Sequence, residues 1–168
     1  MVRVYLITCS DGGYYEGKKD FTGPAVEKLV TEHGWSVAGT EVLPDERQII
    51  AGTLRRLADK KMADLVLTLG GTGLNPRDVT PEATKDVIEK EVPGLGELMR
   101  MKSFAITPNG IMSRATAGIR GRMLIVNLPG SPRGATENLT FIFEALAHGM
   151  KMLLHDHNDC AHMDALRE

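Results

Sequence analysis

Gly70, Gly71, Thr72 and Gly73 close an apolar run, and Arg77 and Asp78 follow in the same loop, "LGGTGLNPRDVTPEAT". Three glycines in four positions open backbone angles closed to other residues and let a ligand approach the main chain. Successive N–H groups in such a turn form an anion nest, and the start of a nearby helix adds partial positive charge. Phosphate is the guest that suits this chemistry. Arg77 can pair with a phosphate or another anion. Asp78 would repel phosphate unless it holds Mg²⁺, which takes one or two carboxylates together with phosphate oxygens. The plainer alternative makes Asp78 a helix cap, Arg77 a solvated side chain and the glycines turn punctuation. Asp45, after an earlier strand, poses the same choice between cap and second carboxylate.

Two known nucleotide loops do not fit. A Walker loop needs a lysine after its glycines, and none follows Gly73. The dinucleotide fingerprint should follow the first strand, where "SDGGYYEG" lacks its spacing.

The elements that must position these loops alternate between strand and helix. "VRVYLIT" is a buried strand, and the loop "CSDGGYYEGKKDFTG" follows it. "PAVEKLVTEHG" starts on proline and ends on glycine, as a helix does. "WSVAGTEVL" reads as a second strand, and a helix with an apolar stripe runs from Pro44 or Asp45 to about Lys60. "ADLVLTLGG" has no alternation, which predicts a parallel strand covered on both faces. A helix over Thr80–Lys90 is expected, with Thr80 as its cap and Pro81 at its first position. "GLGELMRMKSF" reads as a short helix, in which Glu97 and Arg100 are expected to be structural. "SRATAGIRGRMLIVNLPGSP" reads as a hairpin at the sheet edge turning at Arg120–Gly121, and a long helix starts near Pro132. This order predicts an α/β fold: a three-layer α/β/α sandwich with a mostly parallel sheet and one late antiparallel hairpin. Ligands then belong at the carboxyl ends of the strands, where "CSDGG", "GGTG" and "LPGSP" gather.

Composition narrows the classes further. The length of 168 residues suits one domain with a sizeable core, here 1–168. A net charge of −2 argues against a general nucleic-acid binder. No apolar run is long enough for a bilayer, and the start lacks the pattern of a signal peptide, so a cytoplasmic protein is expected, with neither nucleic acid nor membrane as partner. Cys9 and Cys160 form no disulfide framework. His155, His157, Cys160 and His162 match no known zinc spacing, and 156–168 reads as a solvated, flexible tail.

Six blocks, in this order and spacing, carry a resemblance: "SDGGYYEGKKDFTGPAVEKL", "LPDERQII", "LGGTGLNPRDVTPEAT", "PGLGELMR", "SRATAGIRG" and "LIVNLPGSP". They resemble the molybdenum-cofactor biosynthesis family of MogA/MoaB-like molybdopterin adenylyltransferases, from Val4 to about Leu154. The resemblance implies an oligomer, trimer or hexamer, that uses Mg²⁺ and ATP to adenylylate the terminal phosphate of molybdopterin and releases pyrophosphate. A molybdenum insertase would be the downstream partner. By the same resemblance Asp45 and Asp78 are the acidic positions tied to activity and the expected Mg²⁺ ligands. Gly70, Gly71, Thr72 and Gly73 match the nucleotide loop, Ser10 and Asp11 the first-strand loop, and Pro129, Gly130, Ser131 and Pro132 the loop bordering the pocket. Arg77 is expected at the phosphates. Ser113 matches a family block, as does Arg114, with a binding role expected for Ser113. Tyr14 and Tyr15 could stack on a ring or stand exposed. The alternative function is a molybdopterin-binding carrier or scaffold without turnover.

Overall fold

The computed structural model describes residues 1–154. The histidine and cysteine positions expected in a tail, from His155 onward, lie outside the described residues. The elements are β1 (Arg3–Cys9), α1 (Asp11–Glu16), α2 (Thr22–Glu32), β2 (Ser36–Leu43), α3 (Arg47–Asp59), β3 (Leu65–Leu69), α4 (Thr80–Lys85), β4 (Lys90–Glu91), α5 (Pro93–Ile106), a 3₁₀ turn (Pro108–Met112), β5 (Ala117–Arg120), β6 (Met123–Leu128) and α6 (Pro132–Leu154).

The strands form one six-stranded sheet in the order β2-β1-β3-β6-β5-β4. Its first four strands run parallel, while β5 pairs antiparallel with both β6 and β4. Successive side chains of a strand face opposite sides, and the central strands are apolar on both. Val4, Leu6, Leu65 and Leu67 join one core with Val26 and Val30 of α2, Met99 of α5, and Leu139 and Ile142 of α6. Tyr5, Ile7, Val66 and Ile125 join the other with Ile50, Leu54 and Leu57 of α3 and Ala83 of α4. This is the expected mostly parallel sheet between two helical layers.

The structure departs from expectation at the first loop, at the end of α4 and at the sheet edge. A short helix, α1, occupies the first loop: the Ser10 side chain accepts from the Gly13 N–H, and Gly17 ends the helix at φ 65°. Its two glycines disfavour a helix on propensity alone, so the cap decides. α4 ends at Lys85, five residues early, because the chain turns to place Lys90 and Glu91 against Ile119 and Gly118 as the edge strand β4. The β5–β6 hairpin therefore lies inside the sheet, with β6 next to β3. Arg100 is structural, as expected: it donates to the carbonyls of Ser113 and Ala115 at 3.4 and 2.8 Å, tying α5 to the approach to β5.

One polar cluster sits in the apolar sheet. Asn127, fully buried on β6, donates to the hydroxyls of Thr68 on β3 (2.9 Å) and Thr84 on α4 (2.8 Å). Its side-chain oxygen accepts from the Thr116 N–H at 3.3 Å. Buried polar groups are tolerable only when paired, and this cluster pins α4 to the sheet below the glycine loop.

Candidate active site

The loops after β1, β2, β3 and β6 meet at the carboxyl edge of the sheet, around a pocket of about 390 Å³. Ser10, Asp45, Gly70, Gly71, Asp78, Gly130 and Pro132 line it. A second cavity, of about 360 Å³, lies against Thr72, Gly73, Ser113 and Pro129. The glycine loop is therefore shared between the two: Gly70–Gly71 face one cavity and Thr72–Gly73 the other. Three expected site residues, Asp11, Arg77 and Ser131, line neither.

Close packing explains the glycines. Gly70 has φ 105°, and a side chain there would meet the Cys9 carbonyl at 2.6 Å. Gly130 lies against it, since a Cβ on Gly130 would stand 3.1 Å from the Gly70 Cα. The Thr22 hydroxyl donates to the Gly130 carbonyl at 2.7 Å and fixes the last loop. Arg114 braces the glycine loop from outside: its backbone N–H donates to the Thr72 carbonyl, its side chain reaches the carbonyls of Gly73 (2.7 Å) and Asp78 (2.6 Å), and it pairs with Glu82. Arg114 is thus a structural clamp.

Asp45 does not cap α3. Glu46 occupies the cap position of α3 and its side chain makes no capping bond. Instead Asp45 Oδ2 accepts from the Asp11 N–H, and the Asp45 N–H donates to Asp11 Oδ1, each at 2.9 Å. Burial pushes the Asp45 carboxyl above its ordinary value, as do the charges of Asp11 and Asp78, against the Asp11 N–H and the Arg77 charge. Asp78 Oδ2 accepts from the Asn75 N–H at 3.1 Å within its own loop. Ser131 accepts from the Gly134 N–H at the start of α6.

Arg77 is already paired. Its guanidinium donates to both Asp11 oxygens (3.0 and 3.1 Å) and to Glu46 (3.0 Å). The cations that do line the pocket are Lys18 and Lys19, beside Asp20. Sequence reasoning assigned them no role, although two adjacent lysines after a glycine loop are a visible signal. Tyr14 and Tyr15 are exposed and meet each other edge to face at 5.0 Å.

Cys9 is buried at the pocket floor, and burial pushes its thiol up to about 12, against a smaller opposing effect of the Thr80 hydroxyl. The thiol is therefore neutral and no nucleophile. The unfolded chain releases this proton near the ordinary value of 9.0, while the fold retains it. Stability consequently falls as pH rises above that value. In native protein treated with iodoacetamide at mildly alkaline pH, Cys9 is expected to remain unmodified, becoming alkylated only on unfolding. Peptide mass mapping reads both states.

What this edge can do is hold a polyphosphate between glycine backbone and lysines, next to two carboxylates, with a separate cavity across the loop for a second substrate. The molybdopterin adenylyltransferase of Helicobacter pylori J99 is 39% identical over 155 residues, covering 91% of this chain and 88% of the relative. That of Escherichia coli K12 is 40% identical over 158 residues, covering 89% and 80%. The crystal structure of the molybdopterin biosynthesis enzyme MoaB from Thermus thermophilus superposes with a TM-score of 0.86 at 46% identity, over 91% of this chain and 96% of that one. Residues 5–148 match the family described as "Probable molybdopterin binding domain". The chain belongs to that molybdenum-cofactor biosynthesis family of molybdopterin-binding domains.

Proposed function

We propose that this protein is a molybdopterin adenylyltransferase, which transfers AMP from ATP to the terminal phosphate of molybdopterin. The observation that carries the reading is the glycine loop standing between two cavities, with Asp45 and Asp78 on one of them. A phosphate oxygen of the pterin substrate attacks the α-phosphorus of ATP, the new P–O–P bond forms, and the bond to pyrophosphate breaks. Both reactants are anions, so catalysis is mainly positioning and neutralisation of charge.

In this reading the triphosphate lies along Gly70–Gly71 against Lys18 and Lys19, and the pterin lies across Thr72–Gly73 near Ser113. Arg77 acts through Asp11, holding it where its backbone N–H meets Asp45. The residues fit Mg²⁺. Among the described residues no set of three His, Cys, Asp or Glu forms a cage, but Mg²⁺ on a nucleotide needs only one or two carboxylates. Asp45 and Asp78, the two carboxylates that line the pocket beside the glycine loop, would hold it. Bound there, the ion would neutralise charge on the phosphates and on the leaving pyrophosphate.

The wider reading includes one domain over 1–168, a cytoplasmic location, and a molybdenum insertase that takes the product. It also includes a homo-oligomer, trimer or hexamer. Exposed Met101, Phe104 and Ile106 on α5, with Ile111 and Met112 beyond it, supply apolar surface that such an assembly would cover. No helix among the described residues is long and apolar enough to cross a membrane.

The test is turnover by the purified protein with molybdopterin and Mg²⁺-ATP, following pyrophosphate and adenylylated pterin together. Equal amounts of both products, requiring pterin, are expected. Tight pterin binding without product would make the protein a carrier.

A further inference from the structure

Thr80 was expected to cap α4, and it does not. It is the first helical residue, Val79 takes the cap position, and no side-chain capping bond forms there. The Thr80 side chain is wholly buried and its hydroxyl oxygen has no hydrogen-bond partner. The Cys9 thiol stands near enough to feel that hydroxyl, but sulfur is a weak partner. A threonine at the start of a helix ordinarily uses its hydroxyl on the backbone. Here the hydroxyl is aimed elsewhere.

Its surroundings show where. The Thr80 N–H donates to the Gly71 carbonyl at 3.2 Å, so the start of α4 is fastened to the glycine loop. Gly71 has φ 64°, and a Cβ there would overlap the Thr80 hydroxyl oxygen while standing 3.2 Å from Asp45 Oδ1. Asp45 Oδ1 is the second buried, unpartnered oxygen at this place. Two orphaned oxygens, from a loop and a helix that are distant in sequence, thus converge on the bare Cα of one glycine. One is a hydroxyl with a hydrogen to donate, and the other is a carboxylate oxygen that can only accept. Leaving both unpaired is costly, and a donor and an acceptor facing one small space remove that cost together.

We propose that Thr80 is a positioning residue for Asp45: its hydroxyl hydrogen is directed to Oδ1 across the space in front of Gly71, directly or through one water molecule. The Asp11 N–H holds Oδ2 from the other side. Asp45 is then fixed through both oxygens, with its plane set relative to the pocket. Gly71 has two duties, to make the turn and to leave room for this contact. The proposal rests on the adenylyltransferase reading for its catalytic consequence alone, because the contact itself is tested by stability.

The experiment compares Thr80→Val, which keeps the shape and removes the hydroxyl, with Thr80→Ser, which keeps the hydroxyl, each with and without Asp45→Ala. Turnover with Mg²⁺-ATP and molybdopterin is expected to fall at least tenfold in kcat for T80V and to stay within threefold of wild type for T80S. In the D45A background, T80V should cause no further fall. Thermal unfolding of the same proteins reads the contact without activity. T80V should lower the Tm when Asp45 is present, and leave it unchanged or raise it when Asp45 is absent. Equal Tm shifts in the two backgrounds would overturn the proposal, as would a T80S enzyme as slow as T80V. A wild-type protein that makes no product, with the Tm shifts still coupled, would sink the adenylyltransferase reading and leave the Thr80–Asp45 contact standing.

Discussion

Asp45→Asn is expected to abolish most turnover while leaving the fold as stable as wild type or more so. Removing one group that organises charge at a transition state typically costs about 10²–10³ in kcat, and Asp45 is the carboxylate set most firmly in the pocket. The stability half follows from its raised carboxyl. Burial, Asp11 and Asp78 all disfavour the charged form. An acid whose folded value lies above its unfolded value loses stability as pH rises from the unfolded value through the folded one, and the cost persists at neutral pH. Asparagine is neutral at every pH and can still accept the Asp11 N–H, so it removes that cost. Steady-state kinetics and thermal melts at neutral pH on one preparation check both halves. A variant with full activity would remove Asp45 from the site, and a collapse of stability would make it a structural residue.

The largest loss of stability is expected from Asn127→Leu. The substitution nearly keeps volume, but it strips partners from the hydroxyls of Thr68 and Thr84 and from the Thr116 N–H. Each buried group left unpaired costs about 1–3 kcal/mol. Burying the leucine side chain returns about 1.5–3 kcal/mol, which offsets only part of the cost of three unpaired groups. We expect a loss of about 2–4 kcal/mol in urea unfolding, or a Tm lower by roughly 5–15 °C for a chain of this size. Since Asn127 joins β3, β6 and α4, α4 should also loosen, and hydrogen exchange should quicken first at Thr80–Lys85. A change below about half a kcal/mol would mean that the hydroxyls find other partners and that the cluster is incidental.

Much of this was legible in the chain. The runs at β1, β3 and β6 lack alternation because both of their faces are covered, and the stripe of Ile50, Leu54 and Leu57 marks the buried side of α3. Strand–helix order put the loops carrying Asp45, the glycines and Gly130 at one sheet edge, and the six family blocks narrowed the chemistry. Periodicity and capping preference are local signals, readable within a turn or two of the residue concerned.

Tertiary structure decided the partners. Asp45 and Thr80 both have cap-like side chains, yet neither caps the helix expected of it, because Asp11 at the start of α1 and Gly71 in the glycine loop reach them instead. Arg77 looks free in its loop, but Asp11, 66 positions earlier, takes its charge, leaving Lys18 and Lys19 to line the pocket. The early end of α4 depends on β5 being present to receive β4. In each case local chemistry permits two outcomes of nearly equal energy. The choice falls to a contact that exists only once the sheet has brought distant loops together.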